Sequence, residues 1–418
     1  MNNAELLLKT VHNAGIDICF SNYGTTEIPI TEAFDTMDGV RPVMCLHEGV
    51  CAGAADGWGR MTGKPAMTLL HLGPGLANAI SILHDARRAE TPLFNLVGEH
   101  ASWHIQADPP LAMNIDAISG AVSGWCRRIE RPEETADCAV RAVIAASYGQ
   151  VATLIFPIDF QMAKAASGRA PAHHAEREPA DADKIRKAAA LFEGGKRTGL
   201  LLGGKALQAG GLRAAARIKA KTGCELLAPV FPARLERGGN LPKLKRLPYF
   251  AEAEAGFLNN YDALVIAGAH RPVAFFAVPG LDSYLGTKSK PLVQIAGERQ
   301  DPVEALERLA DILKAPQLRE PARAFVDPPV TPGKLDAESA CQALALTQPE
   351  GAIIVDEGLS SSMTYYRASE DSPPHTLLTI VGGALGYGMP WSIGAAMACP
   401  DRPVFNYEAD GSAMYTIQ

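Results

Sequence analysis

The sequence predicts an α/β protein made of three doubly wound, mainly parallel-sheet domains, the third of them incomplete. Three observations carry that expectation. Short apolar runs of strand length alternate with helical patterns along the whole chain, the order that yields parallel sheets covered by helices. At 418 residues the chain is longer than one core organises. Two stretches rich in Ala, Pro and charge but without apolar periodicity, 163–184 and 319–339, break the alternation and read as linkers.

The opening "MNNAELLLKTVHNAG" reads as an amphipathic helix; Glu5 and Lys9 within it are unlike the apolar centre of a signal peptide. Strands are expected at 17–24, 41–48, 65–73, 91–99 and 151–159, with helices between them. Within the second of these, "RPVMCL" reads as a buried strand and the following "GVCAGAADGWGRMTG" as a tightly packed helix. Glu48 therefore falls where strand hands over to helix, a costly place for a charge. The second block offers strands in "TGLLLGG", "CELLAPV", "DALVIAGA" and "PLVQIAG", and the third in "GAIIVDEG" and "RPVFNYEADG". The implied domains are 1–165, 185–320 and 335–418, the last ending soon after a strand and a turn and expected to be truncated.

A hydrophobic fraction of 47% with 20% charged residues describes an ordinary soluble protein able to bury large cores. The net charge of -7 and the lack of a basic run argue against nucleic acid or anionic lipid as partners. No apolar run approaches the roughly 20 residues that cross a bilayer. The eight cysteines (Cys19, Cys45, Cys51, Cys126, Cys138, Cys224, Cys341, Cys399) are scattered, with no CxxC pair, and read as reduced thiols of a cytoplasmic protein.

Chemistry concentrates near the C-terminus. In "EADGSAMYTIQ", Asp410, Gly411 and Ser412 offer a hard oxygen ligand, backbone N–H groups and a hydroxyl at a helix start, which suits a diphosphate with Mg²⁺; an Asp-Gly turn capped by Ser has the same spelling. In "TIVGGALGYGMPWSIGAAMACP", glycines crowd the turn before a helix of small residues, for close approach of a ligand or of another element. In "VDEGLSSSMTY", Asp356 and Glu357 end a strand and Ser360, Ser361 and Ser362 open a helix. All three loops follow strands, where open α/β sheets bind ligands, so a single site accounts for them together.

With "LHEGVCAGAADGWGRMTGKPA" and "LLHLGPGLANAI" added to "GGALGYGMPWSIGAA" and "ADGSAMYTI", the sequence resembles the thiamine diphosphate (ThDP) enzymes of the acetolactate synthase and benzoylformate decarboxylase group. The resemblance spans the whole chain, in the order pyrimidine-binding, central and diphosphate-binding domain. It implies that Glu48 hydrogen-bonds a pyrimidine nitrogen of ThDP and favours the imino tautomer that deprotonates the thiazolium carbon. It implies Asp410 as an Mg²⁺ ligand, Gly411, Ser412 and Ser360 on the diphosphate, and Leu385 as the prop that bends the cofactor. Gly24, Gly73, Asn78 and Gly383 complete the implied cofactor shell. His71 falls where benzoylformate decarboxylases carry an active-site histidine, and Thr25 where they have a serine near the substrate carboxylate.

The implied activity is non-oxidative decarboxylation of a 2-oxo acid, with or without carboligation to a second carbonyl, in a homodimer or homotetramer whose Glu48 meets a cofactor held by another subunit. Simple decarboxylation of the benzoylformate type, and a non-catalytic module of the same fold, are the alternatives. Departures from the pattern are Ala409 in place of the usual Gly, His270 displaced from the family's second histidine, and a second Mg²⁺ ligand, an asparagine, expected beyond Gln418. "LLGGKALQAGG" (201–211) loosely resembles a nucleotide loop, and its counterpart binds FAD in some acetolactate synthases; a nucleotide-dependent protein using these glycines is a further rival. His100 and His104, four apart, would form a metal pair on a helix but lack a third ligand; Cys51 reads as a core residue, and His173 and His174 as solvated linker positions.

Overall fold

The computed structural model describes residues 1–166, 177–286, 288–297, 299–318 and 333–418. His173 and His174, and much of both linkers, lie outside the described residues. The chain forms two compact units. The first comprises Met1–Glu176, Val355–Glu357 and Ile380–Gln418, and the second Arg177–Ile354 and Gly358–Thr379.

The first unit opens on the helix Asn3–Asn13, whose start is closed by a reciprocal cap between Asn2 and Glu5. Strands β1 (Ile18–Asn22), β2 (Arg41–Met44), β3 (Ala66–Leu70), β4 (Leu93–Glu99), β5 (Trp125–Arg128) and β6 (Val151–Pro157) form one sheet in the order β2-β1-β3-β4-β6-β5, parallel throughout. β3, β4 and β6 are buried along their whole length, as expected of central parallel strands whose two faces are covered. Leu7, Val11, Phe94, Leu96, Leu154 and Phe156 belong to the core on one of those faces.

Two expectations are corrected here. The run before Glu48 is not a buried strand: Arg41, Pro42 and Met44 are exposed on the edge, and burial begins only at Cys45. Pro42 has no N–H to give a ladder, which suits an edge strand. β5, "WCRR", was not anticipated, because a short partly exposed edge strand carries neither an apolar run nor a clear alternation.

In the second unit, β7 (Thr198–Leu202), β8 (Glu225–Ala228), β10 (Lys245–Arg246), β11 (Ala263–Ala267) and β12 (Leu292–Ala296) form a parallel sheet in the order β10-β8-β7-β11-β12. β9 (Arg234–Arg237) pairs antiparallel with β14 (His375–Thr379), an exception to the parallel expectation. β9, "RLER", is too charged to read as a strand; its apolar anchor is Leu235 opposite Leu377. β13 (Ile353–Glu357) and β15 (Val404–Glu408) complete the strands. Among the described residues no helix is long and apolar enough to cross a membrane. None of the eight cysteines is in a disulfide, and Cys51 is a buried core residue.

The small residues after Glu48 have a direct structural cause. The helix Glu48–Thr62 lies against the helix Gly388–Ala398 at backbone distance. A Cβ on Gly53 would sit 2.4 Å from Pro390 Cβ, one on Gly57 2.3 Å from the Trp391 carbonyl oxygen, and one on Gly394 1.9 Å from the Ala54 carbonyl oxygen. Anything larger than glycine at these three positions pushes the helices apart.

Candidate active site

The strand order of the first sheet reverses between β1 and β3, and open α/β sheets take their ligands beyond the carboxyl ends of strands at such a point. The chain leaves β1 through Gly24 into a single 3-10 turn, Thr25–Glu27, and leaves β3 at His71. Glu27 is fully buried there. One carboxylate oxygen accepts the Gly24 N–H (2.8 Å) and meets His71 Nδ1 (2.7 Å), and the other accepts the Thr26 hydroxyl (2.6 Å). Gly98 leaves the space the carboxylate occupies, since a Cβ there would overlap Glu27 Oε1. The hydrogen bond to the Glu27 carboxylate raises the His71 pKa above its ordinary value, and partial burial opposes the rise. Leu72, the next residue, has φ +53°, a left-handed conformation that a branched side chain seldom adopts and that concentrates at functional sites.

Glu48 is the first residue of its helix. His47 caps that helix, its Nδ1 accepting the Gly49 N–H (3.0 Å), and Asn78 donates through Nδ2 to Glu48 Oε2 (3.0 Å). A Cβ on Gly75 would lie 2.9 Å from Glu48 Oε1 and 3.4 Å from His71 Cβ, so glycine at 75 keeps open the space between the two groups. Glu48, from one motif, and His71 and Asn78, from the next, therefore converge on one patch. Gly73 admits the Met113 side chain, whose Cβ would be 2.3 Å from an added methyl group. Thr25 is exposed beside the pair, while the hydroxyl that reaches His71 belongs to Thr26 (3.3 Å).

At the C-terminal end, Asp410 opens the turn Asp410–Ala413 and is exposed, and a Cβ on Gly411 would meet open space. Ser412 Oγ is buried without a hydrogen-bond partner. Ala409 has φ -78°, so its methyl group is accommodated where the motif usually has glycine. In the preceding loop Gly383 has φ +76° with open space where a Cβ would be, and Leu385 is 37% exposed. An exposed carboxylate, an open glycine and an orphaned buried hydroxyl in three consecutive residues fit a diphosphate and its cation.

Residues 1–118 match the family model "Thiamine pyrophosphate enzyme, N-terminal TPP binding domain", and residues 357–418 match "Thiamine pyrophosphate enzyme, C-terminal TPP binding domain". Over 420 residues the chain is 43% identical to the Mycobacterium tuberculosis protein named "Putative acetolactate synthase large subunit IlvX", covering 100% of this chain and 80% of that protein. The chain belongs to the thiamine pyrophosphate enzyme family.

Other family members lie further away. Acetolactate synthase isozyme 1 large subunit of Escherichia coli K12 is 28% identical over 463 residues, covering 99% of this chain and 78% of that protein. Benzoylformate decarboxylase of Pseudomonas aeruginosa is 26% identical over 455 residues, covering 98% and 82%. The solved structure of the Rhodococcus jostii RHA1 thiamine diphosphate-dependent 4-hydroxybenzoylformate decarboxylase has the same fold, with a TM-score of 0.82 at 24% identity over 100% of this chain and 82% of that one.

For this thiamine pyrophosphate family member, sequence reasoning missed two site carboxylates. Glu27 follows the polar stretch Ser21–Thr26 rather than an apolar run, so nothing local in the sequence marks it. Glu357 was read only as a strand end. It is fully buried and accepts the N–H groups of Gly386 (2.6 Å), Tyr387 (2.7 Å) and Gly388 (2.6 Å), which commits those amides of the glycine loop to a side chain of the same unit. Burial and the charge of Glu357 together push the neighbouring Glu408 carboxyl well up, so it keeps its proton near neutrality. Ser360 is exposed on the turn Leu359–Ser361 of the second unit.

The central glycines are explained by packing. Cβ atoms on Gly203 and Gly268 would each lie 2.4 Å from the other's carbonyl oxygen, and one on Gly211 2.5 Å from Ala206 Cα. His100 follows the end of β4 and His104 lies on a turn, neither on a helix, with their rings edge to face at 6.0 Å. Among the described residues no group of three or more His, Cys, Asp or Glu is placed to hold a metal.

Proposed function

We infer that the protein is a ThDP- and Mg²⁺-dependent enzyme that decarboxylates a 2-oxo acid without oxidation, with or without passing the acyl unit to a second carbonyl compound as an acetolactate synthase does. The observation that carries this reading is the convergence of Glu48, held by Asn78, with the Glu27–His71 pair across Gly75. When bound, ThDP supplies the carbon nucleophile and the electron sink that amino-acid side chains lack. Glu48 would hold the ring nitrogen of the cofactor and carry a proton there. Asp410 would hold Mg²⁺, Ser360, Gly411 and Ser412 would hold the diphosphate, Leu385 would pack against the cofactor, and Gly24, Gly73 and Gly383 would allow its close approach. Glu27 holds the Nδ1 side of His71, which leaves Nε2 to move a proton at the substrate. Thr25 faces the 2-oxo acid carboxylate.

The His71 arrangement favours a second reading, simple decarboxylation of the benzoylformate type, because release of an aldehyde requires protonation at carbon and His71 is placed to deliver a proton. The proposed organisation is a pyrimidine-binding domain (1–165), a central domain (185–320) and a diphosphate-binding domain (335–418), in a cytoplasmic homodimer or homotetramer that binds neither nucleic acid nor membrane. Calorimetric titration of ThDP with and without Mg²⁺, followed by CO2 release from a panel of 2-oxo acids, tests the reading. Saturable Mg²⁺-dependent binding with turnover of one acid supports it. Binding without turnover of any acid favours a non-catalytic module, and no binding by folded protein overturns it.

A further inference from the structure

A charged cluster outside the inferred catalytic residues is buried in the first unit. Asp56 and Arg60 stand on the Glu48 helix, Asp85 on the helix Leu72–Arg88, and Trp391 on the helix Gly388–Ala398. Asp56 Oδ1 accepts Arg60 Nε–H (2.8 Å) and the Thr91 hydroxyl (2.5 Å), and Oδ2 accepts Arg60 Nη2–H (2.8 Å) and Trp391 Nε1–H (2.7 Å). Those four donors saturate the carboxylate. Arg60 Nη2 also reaches Asp85 Oδ2 (3.0 Å), and its guanidinium stacks over the Trp391 ring, 4.2 Å from the centroid. Asp85 Oδ1 accepts the backbone N–H of Gly382, at the start of the glycine loop whose far end is anchored on Glu357.

This is an expensive way to join helices that already interlock through Gly53, Gly57 and Gly394. Buried ion pairs are often no more stabilising than apolar packing of the same volume, and here one cation serves two carboxylates. What the cluster adds is connectivity: each carboxylate is tied to a separate element. If the loop shifts, Asp85 loses the Gly382 N–H and draws more strongly on Arg60, its other donor, which also holds Asp56 on the helix that begins at Glu48. Glycine is required at 382 for this contact, because a Cβ would lie 2.7 Å from Asp85 Oδ1 and 3.0 Å from its Cα.

We propose that Asp56, Arg60, Asp85 and Trp391 are positioning residues that couple the glycine loop starting at Gly382 to the Glu48 helix, so that occupation of the loop by ThDP sets the helix that carries Glu48. The coupling rests on the ThDP reading above. Amide hydrogen exchange of the full chain, with and without ThDP and Mg²⁺, tests it through the ligand-induced change in peptides covering 45–62 and 380–388. In the wild type both segments gain protection. In Asp85→Asn and in Trp391→Phe, which removes the indole N–H together with part of the ring that Arg60 stacks on, the loop still gains protection and the Glu48 helix no longer does. A helix gain that persists in both variants, or a wild-type gain confined to the loop, overturns the coupling and leaves the ThDP reading intact. No gain in either wild-type segment, with no calorimetric binding, overturns the ThDP reading and the coupling with it. Should Asp85→Asn fail to fold, Trp391→Phe and the wild-type comparison still decide.

Discussion

Glu27 Oε2 lies 2.7 Å from His71 Nδ1, a contact between a buried carboxylate and an imidazole that keeps 24% of its side chain exposed. Glu27 also takes the Gly24 N–H and the Thr26 hydroxyl, so it is fixed from three directions and fixes the histidine in turn. Because the folded His71 pKa is raised, the pair's contribution to stability is complete below the unfolded value of about 6.5 and is lost as pH rises through the folded value. Glu27→Gln removes the larger upward influence and leaves burial, which lowers the pKa, opposed only by the smaller influence of the Glu48 charge. Titration of the His71 ring by NMR is expected to give a midpoint below that of the wild type; an unchanged midpoint would show that Glu27 does not control this proton.

Glu48→Gln keeps the helix start and the Asn78 contact in shape but cannot exchange a proton. Turnover is expected to fall by roughly 10²–10⁴-fold, the usual worth of a positioned acid or base, with ThDP affinity and thermal midpoint close to wild type. Steady-state kinetics beside calorimetry decides the point, and undiminished turnover refutes the role given to Glu48.

Asp410→Ala and Ser412→Ala separate cation from diphosphate. The first is expected to abolish the Mg²⁺ dependence of ThDP binding. The second removes a buried hydroxyl that has no partner in the ligand-free chain, so urea unfolding without ThDP should give equal or slightly higher stability, while ThDP affinity drops about tenfold for one lost charge-assisted hydrogen bond. Equal affinity in wild type and Ser412→Ala would place the diphosphate elsewhere.

Two glycine substitutions are expected to have opposite signs. Gly120, in the helix Ile115–Val122, has nothing within 4 Å of an added Cβ, so Gly120→Ala should gain about 1 kcal/mol from helix propensity alone. Gly394→Ala has the same propensity gain but drives its methyl group to 1.9 Å from the Ala54 carbonyl oxygen. Overpacking of roughly 1–3 kcal/mol then exceeds the gain, and denaturant midpoints should move in opposite directions. A stabilised Gly394→Ala would mean that the two helices part without cost.

The chain's own sequence determined the alternating α/β order, the central strands of both parallel sheets and the motifs around Glu48, His71 and Asp410. Those features are written locally: apolar runs of strand length, and short strings in which a polar atom follows a strand. Tertiary structure alone decided the rest. The spacing of Glu27 gives no hint that its carboxylate fills the space left by Gly98 and pins His71, since Gly98 is 71 positions away. Asp56 looks like a surface acid until Trp391 and Thr91 arrive from other elements to saturate it. Arg41–Met44 looks apolar enough for a core, and only its place at the sheet edge exposes it. Periodicity reports which face of an element is apolar; the partner of a buried polar atom is set by which distant elements the fold brings beside it.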